Sequence, residues 1–539
     1  MVKKSLDKNV ETELRLLLSG QEDESAVIAC LRGNNYTVEE SEPVQHVDTY
    51  LDTFDWSLLK NKAELQYRLS DGKATYSLKK TGAIEEEIAK RLDVEVPLNG
   101  PVDKPTEIPS KRIRKLIEGI IFPRKLLEQV QVRTNCQRYR VISPEGRDIG
   151  LGFATSSFSL RGLHKPRPAR KLYELEAQVI DGPETALLEL SSLLSSTFGH
   201  CAASASRLEA AIERFKIVIP SKKVPENLRV RIDDRLDLAI RKILTFHFQR
   251  LREQVPGIER DIDTEFVHQA RVSTRRIRSC LRYFRDAVPE AAAVYLAGEL
   301  KWLGSCFGTV RDLDVFLLNL SRFSHEIARF PAKKRQALED WIERHRREPL
   351  KALWEALESP RYRTFEKRLF QFLEKPLPLR PRQPLAGMRV QEVAPGLITE
   401  KFDAVIRQGQ AVVEKPKLKE FHRLRIQMKR LRYACEFMAP AYGGAFDPFV
   451  ERTVEIQDCL GELQDTVFTR NFVDFLCSNW EGKLVDPELL FILGEIYQLQ
   501  AGIARERQET FAKIWERFSS EETATLLKDV LQTSSPPAP

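Results

Sequence analysis

One pattern of basic residues occurs twice in this chain of 539 residues, as HQARVSTRRIR at 268–278 and as HRLRIQMKRLR at 422–432. In each copy a histidine is followed by arginine or lysine at offsets of three, seven, eight and ten. The offsets of zero, three, seven and ten lie within an arc of about 80° on one helix face. A second pair of segments, FGTVRDLDV at 307–315 and LGELQDTVF at 460–468, repeats with nearly the same separation. The duplication predicts two copies of one helical unit.

The basic residues of each copy form a stripe along its predicted helix. The stripe members are His268, Arg271, Arg275, Arg276, Arg278 and Arg282 in the first copy and His422, Arg425, Lys429, Arg430 and Arg432 in the second. Neither 268–285 nor 421–433 contains a carboxylate, so we expect that the stripes are not neutralised within their own helices. Like charges one turn apart destabilise a helix, and a sequence that accepts this cost twice favours a partner with closely spaced negative charges. The alternative, an ordinary solvated helix face, explains one copy better than two.

Two aspartates, Asp312 and Asp465, occupy matching positions in the second pair of repeated segments. Carboxylates placed in this way can orient arginines from a neighbouring helix. We therefore expect these aspartates to be internal salt-bridge partners of the stripes, and this role is favoured over contact with a ligand.

Periodicity divides the chain into a strand-rich part and a helical part. Several short segments from residue 10 to about residue 180 alternate apolar and polar residues with period two, whereas long helical runs follow the segment KIVIPSKKVPE at 216–226. The proline-rich segment KPLPLRPRQPLAG at 375–387 interrupts the helical part. We predict a strand-rich domain at 1–217, a linker at 218–232, a helical domain at 233–520 and a disordered tail at 521–539. Within the helical domain we predict two repeats, at about 233–374 and 396–520, which a second linker at 375–395 separates.

Composition restricts the classes of function. The chain has 85 Lys and Arg against 78 Asp and Glu, a net charge of +7, so an anion site must come from local clustering. The eight cysteines form no CxxC pair, which argues against a zinc site or a disulfide framework. We find no apolar run long enough to span a bilayer and no P-loop, Rossmann or GxSxG motif. We expect a soluble cytoplasmic protein.

Carboxylates and cations share one face of several predicted strands. In ETELR at 11–15, alternation places Glu11, Glu13 and Arg15 together. The same mixture is predicted for Glu64 with Arg68, Lys79, Arg91 with Asp93 and Glu95, Arg133 with Arg138, and Glu174 with Glu176. Inside a barrel, glutamates would hold Mg²⁺ or Mn²⁺ while arginines and lysines neutralise phosphate oxygens. Such a pore would suit a triphosphate, although an exposed polar sheet face would explain any single strand.

The helical part resembles a known domain. The segments HQARVSTRRIRSCLRYF, FHRLRIQMKRLRYACEFM and GTVRDLDVFL resemble the CHAD domain, the conserved-histidine α-helical domain, over about 233–520. The resemblance implies an all-α domain of two duplicated four-helix bundles, in which the stripe residues of both copies line a positive channel for inorganic polyphosphate.

The strand-rich part resembles the CYTH superfamily of triphosphate tunnel enzymes over about 9–215. ETELR is similar to the ExExK signature, and YLDTFDWSLLK, LQYRLSDGKATYSLKK and RLDVEV follow in the family's order. The resemblance implies an antiparallel tunnel-like β-barrel with flanking helices, so the whole chain would be an α+β multidomain protein. It also implies roles for individual residues: Glu11, Glu13 and Arg15 in catalysis, Glu11, Glu13, Glu174 and Glu176 as ligands of Mg²⁺ or Mn²⁺, and Arg68, Lys79, Arg91, Arg133 and Arg138 as phosphate contacts.

A CYTH domain followed by a CHAD domain is the layout of bacterial inorganic triphosphatases, which cleave tripolyphosphate to pyrophosphate and phosphate. Two features depart from the family pattern. Arg15 replaces the signature lysine, and the segment 149–160 lacks the usual acidic residue. We therefore consider a metal-dependent triphosphatase first and a polyphosphate-binding protein with an inactive tunnel, associated with polyphosphate granules, second. Adenylate cyclase activity is a weaker alternative, and nucleic-acid binding is disfavoured because the stripes lack interleaved aromatic residues.

Overall fold

The computed structural model divides into two compact units, Met1–Lys222 and Lys223–Pro539. It describes residues 9–532 except 22, 86–87, 165–166, 168, 184, 199–205, 221–222, 328–329, 379–380 and 480–485. For residues 9–13, 80–85, 88–93, 321 and 325 it describes the backbone alone.

The first unit consists of eight strands and five flanking helices among its described residues. The strands are β1 (Asn9–Leu17), β2 (Thr37–Asp52), β3 (Ala63–Ser70), β4 (Lys73–Glu85), β5 (Ile88–Leu98), β6 (Leu127–Ile142), β7 (Asp148–Leu160) and β8 (Arg170–Asp181). The helices are α1 (Asp23–Gly33), α2 (Ser57–Lys60), α3 (Lys111–Ile121), α4 (Thr185–Phe198) and α5 (Arg207–Phe215).

The strands pair antiparallel in the order β1-β5-β4-β3-β2-β6-β7-β8, and β8 pairs with β1 to close the barrel. The hairpin between β3 and β4 turns at Asp71 and Gly72, which both have positive φ, as a two-residue hairpin loop requires. The strands confirm the alternating pattern, and their antiparallel barrel confirms the fold that the CYTH resemblance implies.

Alternation along the strands separates an apolar outer face from a polar inner face. Leu14 and Leu16 of β1 are fully buried against Val27 and Leu31 of α1 and Leu187 of α4. The residues between them on β1 face the barrel interior because successive side chains point to opposite faces. This arrangement places Arg15 of β1 inside the barrel.

Helix α5 closes one end of the barrel interior. Its residues Leu208 and Phe215 pack in one buried cluster with the inward-facing Val130, Phe158 and Leu172. An apolar helix face therefore seals the end of the barrel and brings the first residue of α5 into the interior.

The second unit is helical throughout its described residues. The helices are α6 (Leu236–Glu259), α7 (Thr264–Tyr283), α8 (Glu290–Glu326), α9 (Ala332–Glu358), α10 (Pro360–Glu374), α11 (Val390–Glu414), α12 (Leu418–Met438), α13 (Asp447–Asn479), α14 (Pro487–Phe518) and α15 (Glu521–Gln532). Short 3₁₀ turns occur at Glu226–Leu228, Arg285–Ala287 and Ala439–Tyr442. No described helix combines the length and the apolar character needed to traverse a bilayer.

The helices form two similar halves, which confirms the predicted duplication. In the first half α6 packs on α7, α7 on α8 and α8 on α9, and in the second half α11, α12, α13 and α14 pack in the same succession. The two halves share a core in which Phe316 of α8 stacks on Phe472 of α13 with 4.3 Å between the ring centroids. The basic helices α7 and α12 also touch each other.

The predicted disordered tail is wrong for residues 521–532, which form α15. Its Leu527 and Val530 are buried, and Glu522 forms an ion pair with Arg452 of α13 at 2.5 Å. Helix α15 continues α14 and packs on α11 and α13, just as α10 continues α9 and packs on α6 and α8. The duplication therefore includes a fifth short helix in each half. The remaining predicted tail, 533–539, lies outside the described residues.

The interhelical linker is shorter than predicted because α11 begins at Val390 and continues through Pro395. The residues before α11 are held by backbone hydrogen bonds to the start of α6. Leu236 N–H donates to Met388 O at 2.8 Å and Asp237 N–H donates to Ala386 O at 3.1 Å. These bonds join the two halves at the proline-rich segment.

Candidate functional sites

The helix α7 begins at a capping aspartate and buries an apolar face. The Asp263 carboxylate accepts a hydrogen bond from the Glu265 N–H at 3.0 Å, as an N-cap residue does. Ile277 is fully buried, so the opposite side of the helix carries the basic stripe. His268, Arg271, Arg275 and Arg276 are half-buried, whereas Arg278 and Arg282 are exposed.

The helix α12 carries the second stripe in the same way, with Leu424, Met428 and Leu431 fully buried. His422 is exposed, and its Nδ1 lies 2.7 Å from Gln464 Oε1 of α13. The other stripe members are half-buried: Arg425, Lys429, Arg430 and Arg432.

The two stripes meet where α7 contacts α12. The Arg275 guanidinium lies over the Tyr433 ring, 5.7 Å from its centroid, and Arg276 Nη2 lies 2.9 Å from Glu436 Oε2. These contacts tie the two basic helices together through one aromatic ring and one carboxylate. The structure thus brings together residues that the sequence separates by more than a hundred positions.

We call Arg271, Arg275, Arg278, Arg425 and Lys429 the basic cluster. Burial, together with the charges of Arg425 and Arg275, lowers the pKa of Lys429 to about 7. Burial and the neighbouring arginines 282, 271 and 275 also lower the pKa of Arg278. Within the described part of the chain, none of the five members forms an ion pair. The cluster is therefore a concentration of positive charge whose members repel one another.

One glycine makes room for this cluster. A Cβ atom added at Gly308 of α8 would lie 2.5 Å from Arg271 Nη1, so the guanidinium lies directly against the helix backbone. At Gly461 of α13, the matching glycine, an added Cβ would meet nothing within 4 Å. The sequence showed both glycines as part of the repeat, but only the structure shows that Gly308 leaves space for the Arg271 guanidinium.

The expectation that Asp312 and Asp465 form salt bridges with the stripes is wrong. Both residues are exposed, and in the described structure neither makes a direct ion pair. Their charges still act at longer range, since Asp465 opposes the lowering of the Lys429 pKa. The buried acid of this region is Asp314, whose Oδ1 accepts a hydrogen bond from Arg346 Nε of α9 at 2.6 Å.

The expectation that the stripes are not neutralised within their own helices is also wrong for Arg432. Glu436, one turn further along α12, accepts a hydrogen bond from Arg432 Nε at 2.5 Å. Arg276 shares the same carboxylate. The helix extends beyond the carboxylate-free segment 421–433, and its last turn supplies the acid.

In the barrel, two glutamates of β8 are paired with two arginines. Glu174 accepts hydrogen bonds from Arg15 of β1 and from Arg207 Nε of α5, the latter at 3.2 Å. Glu176 accepts a hydrogen bond from Arg207 Nη2, and its Oε1 lies 3.7 Å from Arg15 Nε. Glu174 is fully buried and both arginines are at most 9% exposed. The two positive charges hold the pKa of Glu176 below its usual value although burial alone would raise it.

This arrangement does not fit the divalent cation that the resemblance implies. Both oxygens of Glu174 already accept hydrogen bonds from guanidinium groups, and two arginines would repel a dication. Among the described side chains, no group of three or more His, Cys, Asp or Glu could hold a metal ion. The side chains of Glu11 and Glu13 lie outside the described residues, and their predicted metal and catalytic roles stay predictions.

A second interior ion pair joins β2 and β3. Arg68 Nε and Nη2 donate to the two oxygens of Asp48 at 2.7 and 3.0 Å, and His46 Nε2 lies 3.4 Å from Asp48 Oδ2. Burial would raise the pKa of Asp48, but the neighbouring His46 and the hydrogen-bonded Arg68 hold it well below its usual range. The predicted phosphate contact Arg68 is thus oriented by a carboxylate, and Asp48 was not among the predicted site residues.

The register of the strands tests which other predicted residues share the inner face. Lys79 lies opposite Glu64 on β3 and opposite Asp93 on β5. Backbone pairing also places Glu11 opposite Arg91. These positions agree with the predicted mixed-sign face.

The prediction that Arg133 and Arg138 share that face is wrong. They are five residues apart on the regular part of β6, and an odd separation directs two side chains to opposite faces. Both arginines are exposed, but Arg138 lies on the inner face with the buried Cys136 and Arg133 lies on the outer face. The inner positions of β7 near them are Gly150, Gly152 and Ala154, so the structure places no carboxylate on that part of the described barrel wall.

Sequence reasoning missed Arg207 because its helix follows the last strand and carries no strand alternation. The residues around Arg207 indicate only the start of a helix, since Ser206 caps α5 by accepting a hydrogen bond from the Glu209 N–H at 3.1 Å. Nothing in that cap indicates that the arginine enters the barrel. The position of Arg207 inside the barrel follows only from the packing of α5 on the end of the barrel.

Two family models match the chain, the CYTH domain over residues 9–149 and the CHAD domain over residues 242–474. Each matched range falls within one of the two compact units. An uncharacterized protein of Mycobacterium tuberculosis is 23% identical over 494 residues, which cover 87% of this chain and 89% of that protein.

Solved structures are similar to each part of the chain. The CHAD domain from the plant Ricinus communis is 21% identical, covers 59% of this chain and 99% of its own, and has a TM-score of 0.44. PptA from Streptomyces chartreusis is 16% identical, covers 52% of this chain and all of its own, and has a TM-score of 0.43. A protein from Hippeastrum, described as an adenylyl cyclase with a dominant triphosphatase activity, is 17% identical, covers 39% of this chain and 98% of its own, and has a TM-score of 0.28.

Proposed function

Because the chain carries a CYTH domain followed by a CHAD domain, we propose that it binds inorganic polyphosphate at the basic cluster between α7 and α12. One observation carries this proposal: the cluster gathers cations from both copies of the repeat at the contact between α7 and α12, where burial together with Arg425 and Arg275 lowers the pKa of Lys429 to about 7. Uncompensated charge of this kind is costly to hold together. A polyanion that lies between the helices would offset that cost.

The chemistry of the cluster suits a linear polyanion. Successive stripe members recur at about one per helical turn, a rise of about 5.4 Å, and phosphate groups bind guanidinium forks well. The Nε atoms of Arg275 and Arg430 are buried without a hydrogen-bond partner within the described structure. Neither side chain forms an ion pair in the described structure, so its positive charge is not compensated there. The Tyr433 ring, which contacts the cluster through Arg275, is buried beneath that arginine, so it offers no platform for a nucleic-acid base.

The test removes two members of the cluster and measures polyphosphate affinity at several salt concentrations. Arg275→Ala with Lys429→Ala should weaken binding and should reduce the salt dependence of log affinity by about two, one for each lost phosphate contact. The matched control is Arg347→Ala with Lys351→Ala, which removes the same charges from exposed positions of α9. Equal losses in the two double variants would refute a specific site.

Hydrolysis of tripolyphosphate in the barrel is the second candidate function. A closed barrel with inward-facing charge, including the oriented Arg68, favours it. The pairing of Glu174 and Glu176 with two arginines opposes it. A metal-dependent reaction would therefore have to rely on Glu11 and Glu13.

Phosphate release from tripolyphosphate, measured on the full-length protein with Mg²⁺ or Mn²⁺, decides between these functions. Release that is lost in Glu11→Ala/Glu13→Ala would establish the barrel as a triphosphatase. No release from a protein that binds polyphosphate would leave a binding protein with an inactive tunnel, and its co-localisation with polyphosphate granules in cells would then be the next observation to make.

A further inference from the structure

A groove of about 600 Å³ opens beside the end of α7 in the helical unit. Its walls come from the end of α7 and the turn that follows, from the segment before α11, and from the first turns of α11. Ligand pockets commonly have volumes of about 300–1,000 Å³. The groove is thus large enough for a small organic molecule.

Two stripe cations, Arg282 and Arg430, reach this groove from the two basic helices. The described structure shows no ion pair for either residue, and Arg430 Nε is buried without a hydrogen-bond partner. Arg282 lies beside the Tyr283 ring, 5.7 Å from its centroid. The groove therefore continues the positive surface of the stripes at one end.

The other charged groups of the groove already have partners. Lys401 Nζ lies 2.7 Å from Glu400 Oε1, and Arg285 Nε lies 3.7 Å from Asp286 Oδ1. Glu392 accepts a hydrogen bond from a backbone N–H at the start of α11, at 2.6 Å. Four cations and three carboxylates line the groove, a net charge of +1, and among the four cations Arg282 and Arg430 form no ion pair in the described structure.

The groove also has an apolar part of its wall, next to the charged Glu392, Glu400 and Lys401 of α11. This apolar part consists of Leu385, Met388, Val393 and Leu397. Met388 is 36% exposed, and the other three are half-buried. A chain made only of phosphates would leave this wall in contact with water, so the wall indicates a ligand that has an apolar part as well as phosphates.

We propose that this groove binds a nucleoside triphosphate, with the base on the apolar wall and the phosphates on Arg282 and Arg430. The inference rests on the proposed function, because both arginines belong to the polyphosphate stripes. A flat base buries apolar area against leucine and methionine side chains. The triphosphate is short, so two guanidinium groups are enough to bind it. The helical unit would then accept two kinds of ligand, long polyphosphate along the stripes and nucleoside triphosphate at their end.

The experiment compares ATP with tripolyphosphate as competitors of labelled long-chain polyphosphate, using the full-length protein with a chelator present. ATP and tripolyphosphate both carry three linked phosphates, so a difference between them reports the nucleoside. We expect ATP to compete at about tenfold lower concentration, which corresponds to about 1.4 kcal/mol. Leu397→Ala should remove most of this advantage and leave competition by tripolyphosphate unchanged.

Val413→Ala is the matched control, since Val413 lies on the same helix α11 and is 50% exposed outside the groove. Met388→Ala is a second groove variant at a partly exposed position, in case Leu397→Ala does not fold. ATP that competes no better than tripolyphosphate would overturn the proposal. An advantage that survives both groove variants would also overturn it, because the nucleoside would then bind elsewhere.

Failure of the proposed function gives a different result. If labelled polyphosphate does not bind at all, calorimetry with ATP alone on wild type and Leu397→Ala tests the groove directly. Equal ATP affinities in those two proteins would overturn the groove proposal as well, whereas a loss restricted to Leu397→Ala would support it.

Discussion

Raising the pH should weaken polyphosphate binding because Lys429 must gain a proton when the polyanion binds. The pKa of Lys429 is about 7 in the free protein, lowered from 10.5 by burial and by Arg425 and Arg275. A bound polyanion neutralises those arginines and favours the ammonium form. Above pH 7 the free protein holds the neutral amine, so binding is accompanied by proton uptake.

The size of this pH effect follows from the linkage between proton binding and polyphosphate binding. Between the free and bound pKa values, uptake of one proton lowers the affinity by up to about tenfold for each pH unit. The slope should begin near pH 7 and disappear below it, where Lys429 is protonated in both states. Stability has the opposite slope, because the unfolded chain binds more protons than the folded protein between pH 7 and 10.5. Lys429 therefore makes the free protein more stable, but a weaker binder, as the pH rises through this window.

Calorimetry at pH 8 in two buffers with different enthalpies of ionisation measures proton uptake directly. Lys429→Arg is the control, because a guanidinium stays charged throughout this range and should remove the uptake and the pH slope. Long-chain polyphosphate is used as the ligand, because its few terminal phosphates then contribute little to the measured proton uptake. The same slope and the same proton uptake in wild type and Lys429→Arg would refute the assignment.

Three further results are expected. Gly308→Ala should weaken polyphosphate binding in a direct binding assay because a Cβ atom displaces the guanidinium packed there, whereas Gly461→Ala, which meets no atom within 4 Å, should bind normally. Arg346→Met should lower the free energy of unfolding by about 3–5 kcal/mol, measured with denaturant, because Asp314 becomes a buried unpaired charge; a change below about 1 kcal/mol would contradict this reasoning. Mn²⁺ should leave the thermal unfolding midpoint of Glu11→Ala/Glu13→Ala unchanged, since Glu174 is already neutralised by arginines, and a rise of several degrees in that variant would show that a metal displaces them.

Periodicity was sufficient to predict which part of this chain forms strands and which part forms helices, whereas the barrel itself was expected from the resemblance to the CYTH superfamily. The period-two segments form the closed barrel, and the repeated basic segments lie on corresponding helices of two similar halves. Helix α15 was missed because its short, polar sequence resembles a tail, although it repeats the packing of α10. Arg133 was misplaced because the strand alternation was not applied across the five residues that separate it from Arg138.

For both candidate sites, the sequence could predict which side chains share a face of one helix or one strand, but not which of these faces meet. The stripes on α7 and α12 follow from helical spacing, but that they meet at one cluster depends on the contact between the two halves. Likewise, alternation predicted that Glu174 and Glu176 face inward, while their pairing with Arg207 depends on α5 closing the barrel.

The amino-acid sequence by itself determined which residues are charged and which face of each strand or helix they occupy, because those faces follow from local backbone geometry. The tertiary structure alone decided which charges became neighbours. It joined two acids to two arginines in the barrel, and it left five cations of the helical unit without an ion pair in the described structure. Coulomb interactions depend on distances in space, and those distances arise only when elements far apart in the sequence pack together.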